Sequence, residues 1–143
     1  MLSYDKQDFS KARKYFEKAC DLNNGRGCNG LGVLYRDGQG AEKNLTKAAQ
    51  YASKACGLNN GWGCNNLGDL YQNGQGVEKN LTKAAYFFSK ACDLNMGMGC
   101  GALGSLYEDG KGVEKNSKKA TYFYSKACKL GDKEACEMFK KLR

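Results

Sequence analysis

Neither proline nor histidine occurs anywhere in this chain of 143 residues. Without proline, only glycine interrupts a helix from within, and the frequent Tyr, Phe, Ala and Leu suit an all-helical reading. Without histidine the metal-assisted hydrolysis of a zinc site lacks its ligands, and without any Cys-x-x-Cys pair a thiolate quartet would have to form across separate repeats. No run of 18 apolar residues exists, which excludes a membrane-spanning helix. No basic, apolar, small-residue leader precedes Ser3, so the chain reads as a mature form or a fragment whose leader has been lost.

What the chain has instead is cysteine in register. One series stands at 20, 56, 92 and 128 and another at 28, 64, 100 and 136, each advancing by 36 residues. The surrounding text recurs with them, as Asn44-Leu-Thr-Lys-Ala-Ala before Ser53-Lys-Ala-Cys56 and Asn80-Leu-Thr-Lys-Ala-Ala before Ser89-Lys-Ala-Cys92. A period in the thirties implies a solenoid of helix pairs, each unit hiding its apolar face only against its neighbours. One repeat domain over 1–143 is expected, with a partial unit at 1–22, repeats at 23–58, 59–94 and 95–130, and a capping helix at 131–143. The lone first helix implies that the array has lost part of a repeat at its front.

Eight cysteines in so short a chain argue for an oxidising compartment, periplasmic or extracellular. Of the 105 pairings that eight cysteines allow, repeat symmetry leaves few. The simplest joins Cys20 to Cys28, Cys56 to Cys64, Cys92 to Cys100 and Cys128 to Cys136. Each bridge would staple a helical hairpin across an Asn/Gly turn, worth about 2–3 kcal/mol in the chain-entropy picture.

The period also sets the helices. A first type is expected over 8–22, 44–58, 80–94 and 116–130, with Asp8, Asn44, Asn80 and Asn116 as N-caps. Ala48, Tyr51, Ala55 and Leu58 form one face of it. A second type covers 26–37, 62–73, 98–109 and 133–142 and repeats Leu67, Leu70 and Tyr71. In Asp37-Gly-Gln-Gly, Asn73-Gly-Gln-Gly and Asp109-Gly-Lys-Gly the first glycine takes the left-handed position that ends a helix. No Gly-Lys-Ser/Thr follows, so these are not phosphate loops. Gly32, Gly68 and Gly104 lie inside helices at a cost of about 1 kcal/mol each, which implies a closely approaching neighbour. In the last unit their column holds Lys140 and the Tyr column Arg143, as a solubilising end requires.

The string Leu67-Gly-x-Leu-Tyr71-x-x-Gly-x-Gly-Val77-x-Lys79-Asn80-x-x-Lys83-Ala84 resembles the Sel1-like repeat, a relative of the tetratricopeptide repeat. The paired cysteines narrow the resemblance to the Helicobacter cysteine-rich proteins. It implies a secreted or periplasmic right-handed superhelix of α/α hairpins, each closed by a disulfide. It also implies penicillin binding or beta-lactamase activity, as that family is commonly described, and contact with host cells.

In such a superhelix the second helix type lines the concave side. Its non-repeating columns give a candidate ligand groove: Arg26, Asn29, Arg36, Trp62, Asn65, Asn66, Asp69, Gln72, Met98, Ser105 and Glu108. Trp62 and Met98 would offer apolar contact, the asparagines would bond an extended peptide backbone, and Arg26 and Arg36 would pair with carboxylates. The competing reading is a solvated face that drifts without constraint. The aromatic positions Tyr86, Phe88, Tyr122 and Tyr124 on the first helix type read as packing between repeats.

The net charge of +8 does not imply nucleic-acid binding, because 19 lysines are spread through every repeat among acidic residues. It suits solubility and attraction to anionic cell-wall or host surfaces. Enzyme chemistry finds no support in the residues: of the serine beta-lactamase patterns only Ser3-Tyr-Asp-Lys6 fits Ser-x-x-Lys, and Ser-Asp-Asn and Lys-Thr-Gly are missing. The expectation is therefore a monomeric scaffold that binds a peptide or protein, such as a cell-wall peptide or a host protein, and needs no metal or other cofactor. The alternatives are a beta-lactam-binding or beta-lactam-hydrolysing protein and an array without a dedicated ligand.

Overall fold

The computed structural model describes residues 6–143, with side chains from Asp8 onward. Among them are eight helices and no strand: α1 (Lys6–Asp21), α2 (Gly25–Asp37), α3 (Leu45–Gly57), α4 (Gly61–Asn73), α5 (Leu81–Asp93), α6 (Gly97–Asp109), α7 (Ser117–Lys129) and α8 (Lys133–Leu142). Each helix packs on the ones before and after it in the chain, which is the nearest-neighbour pattern of an α/α solenoid. Across a repeat boundary α2 also approaches α4.

Asparagine sets the entry to each odd-numbered helix after the first. Asn44, Asn80 and Asn116 cap α3, α5 and α7 by accepting from the backbone N–H of Lys47, Lys83 and Lys119. Their own N–H groups donate to the carbonyls of Tyr35, Tyr71 and Tyr107, tying each cap to the end of the preceding helix. Asp8 is the exception to the expected pattern: α1 already runs from Lys6, so Asp8 belongs to its first turn and does not cap it. Gly38, Gly74 and Gly110 end α2, α4 and α6 at φ 67°, 64° and 66°, the left-handed position expected of them.

All four expected disulfides are present, Cys20–Cys28, Cys56–Cys64, Cys92–Cys100 and Cys128–Cys136. Each closes the hairpin between an odd helix and the next even one. The turn they span puts Asn23, Asn59 and Asn95 at positive φ, a conformation asparagine tolerates better than other non-glycine residues.

The inner glycines mark close approach, as expected. A Cβ on Gly68 would stand 2.7 Å from the Phe88 ring, and one on Gly104 would stand 3.0 Å from that of Tyr124. Aromatic pairs lock the repeats from the other side: Tyr35 stacks on Tyr51, Tyr71 on Phe87 and Tyr107 on Phe123. Lys47, Lys83 and Lys119 then lie over the same tyrosines at 5.1–5.4 Å, a cation–π contact repeated three times. Phe88 and Tyr124 are buried, whereas Tyr86 and Tyr122, expected to pack as well, are 63% and 61% exposed. They follow one residue before the stacked Phe87 and Phe123, and a helix turns about 100° per residue, so they point outward and meet those rings only edge-on. At the far end Lys140 is exposed, and the Arg143 guanidinium covers the Phe139 ring at 5.7 Å, giving the last helix a charged outer surface.

Candidate functional site

A cleft of about 840 Å³ opens where α4, α6 and α8 converge beside the end of α7. Trp62, Met96, Met98, Leu130 and Met138 supply its apolar walls, and Ser105, Glu108, Tyr124, Asp132, Lys133 and Glu134 its polar ones. Trp62 and Met98 are 52% and 53% exposed, so both are open to contact. The volume is of the size that holds a small ligand or a few residues of extended peptide.

The repeat is broken at this cleft. Asn24 and Asn60 cap α2 and α4 by accepting from Gly27 and Gly63, and Asp132 caps α8 by accepting from Ala135. The corresponding residue at the start of α6 is Met96, which makes no side-chain cap, so a helix N-terminus has given up a hydrogen bond and gained an apolar wall. Glycine at 101 replaces Asn29 and Asn65 of the earlier units, and Asp132 Oδ2 lies 3.1 Å from where a Cβ at that position would stand.

On its buried side the cleft ends in a hydrogen-bonded chain. Tyr124 Oη donates to Glu108 Oε1 at 2.8 Å and lies 2.9 Å from Ser105 Oγ. The three residues change together: the preceding unit has Phe88, Gln72 and Asp69 in these columns, without a phenol to bind. Burial pushes the Tyr124 phenol up to about 12, with Ser105 pulling it down and Glu108 pushing it further up. The phenol therefore stays protonated at neutral pH and acts as a donor.

Four of the expected groove residues, Trp62, Met98, Ser105 and Glu108, meet in this cleft. Asn29, Arg36 and Asn66 line a separate and much smaller recess between α2, α3 and α4, in which Asn66 Nδ2 donates to Asn29 Oδ1 at 3.0 Å across the repeat boundary. Arg36 is held by its neighbour Asp37, Nε to Oδ1 at 3.0 Å. Arg26, Asp69 and Gln72 line neither space. Desolvation raises the pKa of Asp69, and the charge of Arg36 partly opposes it.

Asn65 requires a correction. It is 3% exposed, with its Oδ1 lacking a hydrogen-bond partner, so it sits in the core and presents nothing to a ligand. Its neighbours Cys64 and Leu67 are buried too, and the helix carries it inward with them. Ser3 of the one Ser-x-x-Lys match lies outside the described residues.

Sequence reasoning missed Met96, Tyr124, Asp132, Glu134 and Met138 as cleft residues. Met96 was visible as a break in the Asn24 and Asn60 column, and Glu134 continues the column of Arg26, Trp62 and Met98 into the last helix. That helix reads as an end cap from its charge, which hid its second role as a cleft wall.

The Sel1 repeat pattern matches residues 3–24, 25–60, 63–96 and 98–132. The solved Helicobacter pylori cysteine-rich protein B is 48% identical, with a TM-score of 0.76 over 93% of this chain and 96% of that one. Two other Helicobacter pylori proteins match over shorter stretches: HcpC at 65% identity over 43 residues and beta-lactamase HcpA at 51% over 43 residues. These stretches take in 30% of this chain but only 15% and 17% of the two relatives. With Sel1 repeats along most of its length and the cysteine-rich protein aligned nearly end to end, the chain belongs to the Sel1 repeat family and, within it, to the Helicobacter cysteine-rich proteins.

Proposed function

We propose that this chain is an exported recognition scaffold that binds an extended peptide, or the exposed segment of a partner protein, in the cleft between α4, α6 and α8. The observation that carries the reading is the coincidence of the cleft with the place where the repeat departs from itself. Three neighbouring units could have kept asparagine at the helix cap and in the column of Asn29 and Asn65; the third instead has Met96 and Gly101, and both line the cleft together with Trp62 and Met98. An exposed indole beside flexible thioethers is a surface that adapts to apolar side chains. Export is supported by the four disulfides, which persist in oxidising compartments. Cell-wall peptides and host proteins are the first partners to try.

Trp62 is the sole tryptophan, so its fluorescence reports directly on the cleft. Titration with a library of extended peptides is expected to shift its emission. By a label on the peptide instead, Trp62→Ala is expected to weaken binding by at least tenfold with the thermal midpoint unchanged. Binding that survives Trp62→Ala at full strength would remove the cleft from consideration.

A second reading, binding or hydrolysis of beta-lactams, rests on the name of the relative HcpA. Within the cleft its nucleophile would have to be Ser105, and the group beside that hydroxyl is Tyr124, whose raised pKa keeps it protonated at neutral pH and so unable to take the serine proton. Turnover of a chromogenic beta-lactam that Ser105→Ala abolishes would favour this reading over the scaffold.

A further inference from the structure

The charge of the cleft is opposite to that of the chain. Against a net charge of +8 for the whole, the cleft is lined by Glu108, Asp132 and Glu134 and by a single cation, Lys133. Among the described residues the ion pairs are Arg13–Glu17 and Arg36–Asp37, so none of the three cleft carboxylates is neutralised by a lysine or arginine. Nor is any of them fully used. Tyr124 donates to Glu108 Oε1, and Asp132 Oδ1 caps α8 while Oδ2 lies toward Gly101. The reversal is specific to this end of the array, because the column that reads Arg26, Trp62 and Met98 reaches Glu134, and the column that begins with Arg36 passes through Gln72 to Glu108.

We infer that the cleft selects a cationic peptide: an extended segment carrying an arginine or lysine next to an apolar side chain. This inference rests on the peptide-binding reading above and names the class of peptide. The cationic group would sit among Glu108, Asp132 and Glu134, where planar guanidinium has two or more carboxylate oxygens to fork onto. The Trp62 indole gives the same group a π face, and Met98 and Met138 take the adjacent apolar side chain. Arg26, in the first unit of the column that ends at Glu134, disfavours a cation at the other end of the array and so helps to fix the direction in which a peptide lies.

The test uses the oxidised full chain and three labelled nonapeptides, identical except for a central arginine, its neutral isostere citrulline, or glutamate, each flanked by phenylalanine. Anisotropy titrations at low salt are run on the protein and on Glu108→Gln, Asp132→Asn and Glu134→Gln variants. Gln keeps an acceptor for Tyr124 and Asn keeps a cap for α8, so folding is preserved. The arginine peptide is expected to bind about tenfold more tightly than the citrulline peptide, with the preference shrinking as salt rises and falling to within about twofold in the combined variant. Equal binding of all three peptides overturns the charge selection and leaves the peptide site standing. No binding of any peptide overturns both. A preference for arginine that survives all three substitutions places the cationic subsite elsewhere. Self-association of the basic chain that the same substitutions abolish would make a second copy the occupant and overturn the proposal.

Discussion

Tyr124 on α7 donates a hydrogen bond of 2.8 Å to Glu108 on α6, and this contact replaces the purely apolar packing that Phe88 makes one repeat earlier. A buried phenol with an acceptor costs little, whereas a buried phenolate beside a carboxylate costs much. Its pKa is accordingly raised to about 12 from an ordinary 10.0. The consequence for stability is confined to alkaline pH. Below about pH 10 folded and unfolded chains both keep the proton and Tyr124 contributes fully. Between about 10 and 12 the unfolded chain releases it first, so this contribution is lost as pH rises. Unfolding free energies from urea titrations are expected to fall more steeply over that range for the native chain than for Tyr124→Phe, by an amount of order 2 kcal/mol. Parallel curves would mean that the phenol ionises as freely in the folded state.

Two glycines to alanine should give opposite results. In Gly68→Ala the new methyl meets the Phe88 ring at 2.7 Å, and overpacking costs about 1–3 kcal/mol, outweighing the gain in helix propensity. Gly57, in the last turn of α3, has nothing within 4 Å of its would-be Cβ, so Gly57→Ala is expected to stabilise by up to about 1 kcal/mol. Chemical denaturation of the two variants beside the native chain decides it, and destabilisation by both would show that α3 tolerates no change at its end.

Met96 and Asn60 occupy the same position of successive units, one without a side-chain cap and the other with it. Asn60→Ala is expected to cost about 1 kcal/mol. Met96→Asn should recover part of a similar amount, the remainder being lost with the packing of Met96 against the apolar cluster of α3, α4 and α5. If Met96 is a cleft wall, the same substitution raises the thermal midpoint while weakening peptide binding. A gain in both would argue that methionine serves no ligand.

Reduction should loosen the array one hairpin at a time. Each disulfide closes a loop whose ends are eight residues apart, worth about 2–3 kcal/mol, and a solenoid passes such a loss mainly to its neighbours. Dithiothreitol is expected to lower the thermal midpoint. Replacing Cys56 and Cys64 together by alanine should raise amide exchange most in α3 and α4 and least in α7 and α8. Uniform acceleration along the chain would show a single cooperative unit.

The period of the cysteines and the recurring Leu-Gly-x-Leu-Tyr string determined most of this molecule before any coordinate: helix order, capping asparagines, terminating glycines, disulfide pairing and repeat family. They could do so because a solenoid is governed by contacts between neighbouring repeats, and those contacts recur in the sequence itself. Asp8 escaped that logic because it stands in the column of the capping asparagines while α1 begins two residues before it, and Tyr86 and Tyr122 escaped it because aromatic character alone does not say which side of a helix a residue faces. The cleft was decided by tertiary structure. Which of the non-repeating residues share a space depends on how far apart three inner helices stand. The cleft gathers residues of α4, α6 and α8 with Tyr124 of α7, and the bond from Tyr124 to Glu108 joins residues distant in sequence. Asn65 shows the limit most plainly: it is polar and belongs to a column that varies along the chain, yet the packing of α4 encloses it.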